Sequence, residues 1–437
     1  MLKIIIPQNY NQERFYIINL IFKEFLSITF QYEFSFKKKN YEILYHDKKI
    51  IIEDHFFNKF SETNNYINIK NIPEKIFFIN SNITQNASVP IIYGRNFLEI
   101  KSSEIICGYD IFASAFFMLT RWEEIVVKHK DKHNRVLEDL LLAVKQNFYK
   151  QPIVNQYVNL LINLLQKINF PINNFWLQNT IIQTHDIDFI EKYHNSQKII
   201  KAVVGDVVKR KSLKMCIKTI NTVLKIKKGK ENDPFDRFNE FMDIAEKHNR
   251  KAHFYFIAGK LGEYDVHYNI SHKILKKTIQ SIENRGHIVG IHGSYNSYNK
   301  GEVFQTELSR LQSITRQIIT ENRQHFLRFS NPQTWQILEK SGIEIDSTMG
   351  FSKFCGYRCG TGETFPVFDV INRKQLKIKE QPFVFMDASI LKNFQQKELQ
   401  NAAIDEFINT QLHHNGKCTV LFHNDSLIWN FAKKILT

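Results

Sequence analysis

The chain has 437 residues, is 43% hydrophobic and carries 59 Lys and Arg against 44 Asp and Glu, a formal net charge of +15. That length exceeds the ~250 to 300 residues at which a single hydrophobic core usually stops growing, so two domains are expected. With 37 Phe and 17 Tyr against 16 Gly and 9 Pro, a disordered, collagenous or repeat-built chain is excluded, and the positive charge favours an anionic partner.

At the N-terminus the apolar run from Ile4 to Pro7 is shorter than a signal-peptide core of roughly 7 to 15 residues. No window reaches the ~20 apolar residues of a spanning helix. The expectation is a cytoplasmic protein whose membrane contact is at most peripheral to the inner face. Residues 10–30 have helical spacing, and "YEFSF", "YEILYH" and "KKIIIED" then read as short strands between residues 32 and 54. One long helix is predicted over "GYDIFASAFFMLTRWEEIVVK", residues 108–128, whose Arg121–Glu124 end reads as a site or, by preference, as a brace for a domain contact. Helices near 136–147 and 154–168 follow. Pro171 breaks the pattern, so the boundary is placed there, giving an α+β domain over 1–172 and a second domain over 173–437.

The second part has a different rhythm. "TIIQT" (180–184), "AHFYFI" (252–257), "HIVGI" (287–291), "HFLRF" (325–329), "PFVFM" (382–386) and "CTVLF" (418–422) are short apolar runs separated by helical segments. Such alternation predicts an α/β fold with a parallel sheet covered on both faces, open or closed into a barrel. A basic helical insertion spans about 192–232. Between Lys198 and Lys230 its cations are interrupted only by Asp206, and Ile200, Val203, Val207, Ile217 and Leu224 recur at helical spacing. A solvated helix face, an anionic membrane surface and nucleic acid all fit this pattern; no nucleic-acid motif accompanies it, and nucleic acid ranks last. The five cysteines are odd in number and scattered, as reduced thiols would be. Cys355 and Cys359 lack the second pair that a zinc knuckle needs.

Polar residues recur just past the ends of these strands: His185, Asp186 and Asp188, then His292, then Arg328, then His423. In parallel α/β folds that edge is where sites are assembled. Two Asp separated by one residue can serve a cation and an attacking water, with His292 as the natural metal partner. A metal, a carboxylate base and an imidazole acid together suit hydrolysis of an unactivated amide. His253 and His287 sit inside apolar patterns and read as core or supporting residues. Asp387 reads equally as a pocket residue or a helix N-cap, and Arg358 as a contact to a substrate anion or as part of a Gly-rich loop. No phosphate loop, dinucleotide fingerprint or nucleophile elbow is present.

The ordered set "THDID", "GIHGSYNS", "LRFSNP" followed by "IEIDST", and "VLFHN" resembles the polysaccharide deacetylases over about residues 178–430. Residues 1–170 look like the N-terminal segment that precedes this module in some bacterial polysaccharide-cluster proteins. The resemblance implies a distorted (β/α) barrel, a divalent metal, most simply Zn²⁺, and removal of an N-acyl group from an amino sugar in a polysaccharide or glycolipid precursor. It also implies Asp186 as general base, Asp188 and His292 as metal ligands, Arg328 as the arginine that positions the base, and His423 as the acid for the leaving amine. Pro332 and Asp346 continue the later motifs. One departure stands out: the family's second metal histidine, four residues after the first, is here Asn296. Asn296 through its carbonyl oxygen, His185 or a residue from elsewhere is left as third ligand, and a catalytically inactive carbohydrate-binding barrel is the alternative reading.

Overall fold

Among the described residues two large sheets hold all the strands but Phe77–Ile79 and Val89–Ile91, which pair with each other. A computed structural model describes residues 1–61, 65–84, 87–172, 179–193, 196–259, 264–265, 268–414 and 416–437. The first sheet is mixed and six-stranded, ordered Phe30–Ser35, Leu2–Pro7, Tyr41–Tyr45, Lys48–Ile52, Glu104–Tyr109 and Gly94–Ile100. Its pattern is half-buried: Ile50 and Ile52 are buried while Lys49 and Ile51 are partly open, the period of two that one covered face requires. The expected boundary beside Pro171 adjoins residues 173–178, which lie outside the described residues.

The single helix expected over 108–128 is instead a strand end and two helices. Gly108 and Tyr109 finish the strand Glu104–Tyr109, and the Asp110 carboxylate caps the next helix by accepting from the Ala113 amide at 3.0 Å. The helix Ile111–Thr120 then stops at Arg121, whose φ of 52° is left-handed, before a short turn of helix over Glu123–Val126. Every residue of Ile111–Thr120 is buried, because it packs on the helices Asn11–Asn19 and Ile153–Lys167 and on strand Phe365–Asp369. The helix expected near 136–147 is reduced to the turns Glu138–Leu140 and Leu142–Lys145.

The second sheet has nine strands, ordered Phe365–Asp369, Lys374–Glu380, Ile345–Asp346, Glu321–Gln324, Ile288–Gly293, Ala252–Phe256, Thr180–Ile187, Lys417–His423 and Phe383–Met386. Only the first pair is antiparallel. The fold is therefore α/β, as the alternation predicted. The sheet curls into an open half-barrel, and one side chain demonstrates it. Arg323 lies three strands from Thr184, about 14 Å away in a flat sheet at ~4.8 Å per strand, yet its Nη1 donates to Thr184 Oγ1 at 2.9 Å.

The fourth strand corrects an expectation: it is Glu321–Gln324, and "HFLRF" lies beyond it in a turn over His325–Leu327. All four of its residues are polar and all are buried, and each has a polar partner inside the half-barrel, as buried polar groups usually do. Glu321 accepts from Tyr255, Asn322 donates to Asp346, Arg323 binds Asp186, and Gln324 accepts from Ser297. Hydrophobicity could not reveal such a strand. Among the described residues, no helix is long and apolar enough to cross a membrane.

Candidate active site

Register brings the strand ends level. Asp186 pairs with His423 on one side and with Tyr255 on the other, and His292 pairs with Arg323. The C-terminal ends of four parallel strands thus finish together around a cleft of about 240 Å³, lined by Asp186, Asp188, His292, His325, His423 and Arg135 among others.

Three ligand-type side chains converge in it. Carboxylate and imidazole atoms of Asp188, His292 and His325 all lie within 4.8 Å of one another. Asp188 Oδ1 is 3.8 Å from His292 Nε2 and 3.7 Å from His325 Nε2. These distances are too long for hydrogen bonds, and both Asp188 Oδ1 and His292 Nε2 are buried without a hydrogen-bond partner. Buried polar atoms left unpaired are costly. A backbone carbonyl fixes the tautomer of His292: Nδ1 lies 2.8 Å from the Arg323 carbonyl oxygen, which can only accept, so Nε2 presents its lone pair. His325 Nδ1 lies 3.4 Å from Asp265 Oδ1, the carboxylate–histidine arrangement that supports metal-binding imidazoles. One carboxylate and two imidazoles with orphaned donor atoms fit a divalent cation such as zinc.

Asp186 sits beside this cluster with its Oδ2 3.5 Å from His292 Nε2, while its Oδ1 accepts from Arg323 Nη1 at 2.8 Å. Burial opposes its ionisation, but Arg323, His292 and His423 outweigh burial and hold the carboxyl at about 2. Arg323 itself is immobilised: it also donates to the Ser347 carbonyl and hydroxyl, and it lies 4.7 Å from the Tyr255 ring. That ring has room because position 290 is glycine; a Cβ there would stand 2.5 Å from Tyr255. Across the cleft, His423 Nδ1 lies 2.7 Å from Asp387 Oδ1, and the His423 amide donates to Asp387 Oδ2 at 2.9 Å. Burial pulls the His423 pKa down, but Asp387 more than compensates and pushes it up to about 10.

Four expectations about residues are revised. Arg328 does not touch Asp186. It lies between the Tyr295 and Tyr298 rings and donates to the carbonyls of His133 and Tyr295, so Arg323 is the arginine on the base. Asn296 Oδ1 faces Arg328 at 3.4 Å and is not in the ligand cluster. His185 is stacked on Phe241 with ring centroids 3.8 Å apart, beneath the site. Arg358 is buried in an ion pair with Glu124, at 2.7 Å, which leaves it no role with a substrate anion. Asp346 is buried and accepts from Asn322 and Thr348. Burial pushes its pKa up to about 6. Asp387 serves the pocket by holding His423. His325 and Arg323 were missed because the strand was placed four residues too late; the signal was the pair of cleft-type residues two apart in "RQH", the same spacing as Asp186 and Asp188.

The N-terminal part contributes to the cleft. Arg135 Nη1 donates to the Phe326 carbonyl at 2.8 Å while its Nε and Nη2 grip Asp131. His133 packs its ring 4.6 Å from Phe326, and Asn134 donates to Tyr298.

Comparison with known proteins gives a partial picture. Residues 2–170 match a family of unknown function (DUF7033). A search of curated proteins finds no match. Among solved structures, the chain is similar to a candidate polysaccharide deacetylase from Mycobacterium smegmatis, at 12% identity and a TM-score of 0.35 over 60% of this chain and 82% of that one. A polysaccharide deacetylase from Bacillus cereus aligns at 11% identity and a TM-score of 0.30, over 59% of this chain and 85% of that one. A CE4 family pseudoenzyme from Bacillus anthracis aligns at 9% identity and a TM-score of 0.30, over 59% of both chains.

Proposed function

We propose that the protein is a metal-dependent hydrolase that removes an N-acyl group, most simply acetyl, from an amino sugar in a polysaccharide or glycolipid precursor. The observation that carries this reading is the convergence, in one cleft, of an ionised carboxylate on a buried arginine, a three-residue ligand cluster and a protonated imidazole. Asp188, His292 and His325 would hold the cation, which when bound supplies polarisation of the substrate carbonyl and acidification of the attacking water. Asp186 accepts the proton of that water through Oδ2, since Oδ1 is engaged by Arg323. An acceptor held at about 2 is a weak base, so it takes a proton only from water already made acidic. His423, kept protonated by Asp387, donates to the leaving nitrogen. The feature that favoured an inactive barrel, Asn296, loses its weight because His325 offers the third donor.

The test is acetate release from a panel of N-acetylated amino-sugar oligosaccharides and glycolipids, with added zinc or cobalt. Asp186→Asn should lower the rate by about 10² or more. Equal turnover by this variant, or no acetate from any substrate at full metal occupancy, would overturn the reading.

A further inference from the structure

The basic insertion forms a two-helix hairpin, Ser196–Val208 and Leu213–Lys227. The helices are tied by Asp206, which is buried and accepts from Arg210 Nη1 at 2.5 Å and from Thr219 Oγ1 at 2.6 Å. Asp206 is the only acid between Lys198 and Lys230, against eleven Lys and Arg in the same span, and it is spent inside the hairpin.

The apolar residues do not do what those of an ordinary surface helix do, which is to face a core. Ile200, Val204 and Val208 are 61%, 50% and 68% exposed, and Leu213, Ile217 and Leu224 are 73%, 60% and 48% exposed. Their spacings of four and seven put each set on one face. Nine of the twenty-one exposed large hydrophobics among the described residues belong to this hairpin, a concentration that marks an interaction surface rather than scattered singles. The stripes are aliphatic, so they offer nothing for bases to stack on, and the shared positive charge opposes a second copy of the hairpin.

We propose that the hairpin docks on an anionic lipid bilayer, inserting its aliphatic stripes at the headgroup boundary while the lysines meet lipid phosphates. The surface adjoins the site. A cavity of about 1040 Å³ between hairpin and barrel is lined by Phe189, Ile190, Lys201, Val208, Phe235 and Tyr268, and Phe189 directly follows the cluster residue Asp188. Docking in this way brings the loop that leaves the cleft to the membrane. The proposal does not rest on the hydrolase reading, because no catalysis is needed to test it.

Flotation of the full chain with vesicles of phosphatidylcholine alone, and of phosphatidylcholine mixed with phosphatidylglycerol, decides it. Binding is expected only to the mixed vesicles. Replacing Lys214, Lys218 and Lys225 together by Gln should weaken it by roughly 100-fold, and Leu213→Ser, Ile217→Ser and Leu224→Ser together should abolish it, with circular dichroism unchanged because all these side chains are exposed. Equal flotation with neutral vesicles would overturn the proposal. So would anionic binding untouched by the serine variant, tight retention on nucleic acid, or a dimer that the serine variant dissolves.

Discussion

At the residue scale the cleft is defined by which atoms are satisfied and which are not. Asp188 Oδ1 and His292 Nε2 are buried without a hydrogen-bond partner and converge with His325 on one point. His325→Ala should therefore strip the purified protein of most of its divalent metal, whereas Asn296→Ala should leave metal content unchanged; elemental analysis of the two proteins separates them. His423 gives a second expectation. Its folded pKa of about 10 lies above the ordinary histidine value of ~6.5, so the pair with Asp387 stabilises the fold fully below that value and loses its contribution as pH rises through about 10. Asp387→Asn should move the His423 titration, followed by NMR of the ring protons, down toward the ordinary range. The stability gap between wild type and variant should be widest at neutral pH and below and narrow in alkali.

At the scale of elements, the turn that presents His325 is held from outside the barrel. Phe326 and Leu327 both have positive φ, 57° and 55°, a conformation that costs on the order of 1 to 3 kcal/mol for residues other than glycine and persists only where the surroundings enforce it. Arg135 and His133, from the N-terminal part, supply that enforcement through the Phe326 carbonyl and ring. Arg135→Ala should thus weaken zinc binding by roughly 10-fold, as loss of a supporting contact does, with little change in melting temperature. Titration calorimetry alongside thermal unfolding measures both quantities. An unchanged affinity would mean that the turn holds itself.

At the scale of the whole molecule, the two sheets share one continuous apolar core. Tyr16 donates to the Pro366 carbonyl at 2.8 Å, and Phe116 meets Phe368 with centroids 5.6 Å apart. The sharpest link is ionic: Glu124 accepts from Arg121 and, bidentately, from Arg358, all with side chains at most 5% exposed. This is the bracing role that the Arg121–Glu124 segment suggested. Burial disfavours the Glu124 charge, but the two arginines prevail and hold its pKa at about 2. Glu124→Gln leaves two buried guanidinium groups undercompensated and should cost about 3 to 5 kcal/mol, read from urea unfolding at neutral pH.

The sequence alone determined the α/β class, five of the six apolar strand positions, and Asp186, Asp188, His292 and His423 as residues that meet at strand ends. Those features are local: runs of β-formers announce a buried strand, and a polar residue at its end has few places to go but the mouth. What only the tertiary structure decided is the strand Glu321–Gln324, and with it Arg323 on the base and His325 in the ligand cluster. That strand is polar because its partners are side chains from strands up to 139 residues away in the chain, and no periodicity encodes a partner. The same holds for Arg358 and Arg135, whose roles were fixed by the packing of the two parts of the chain against each other.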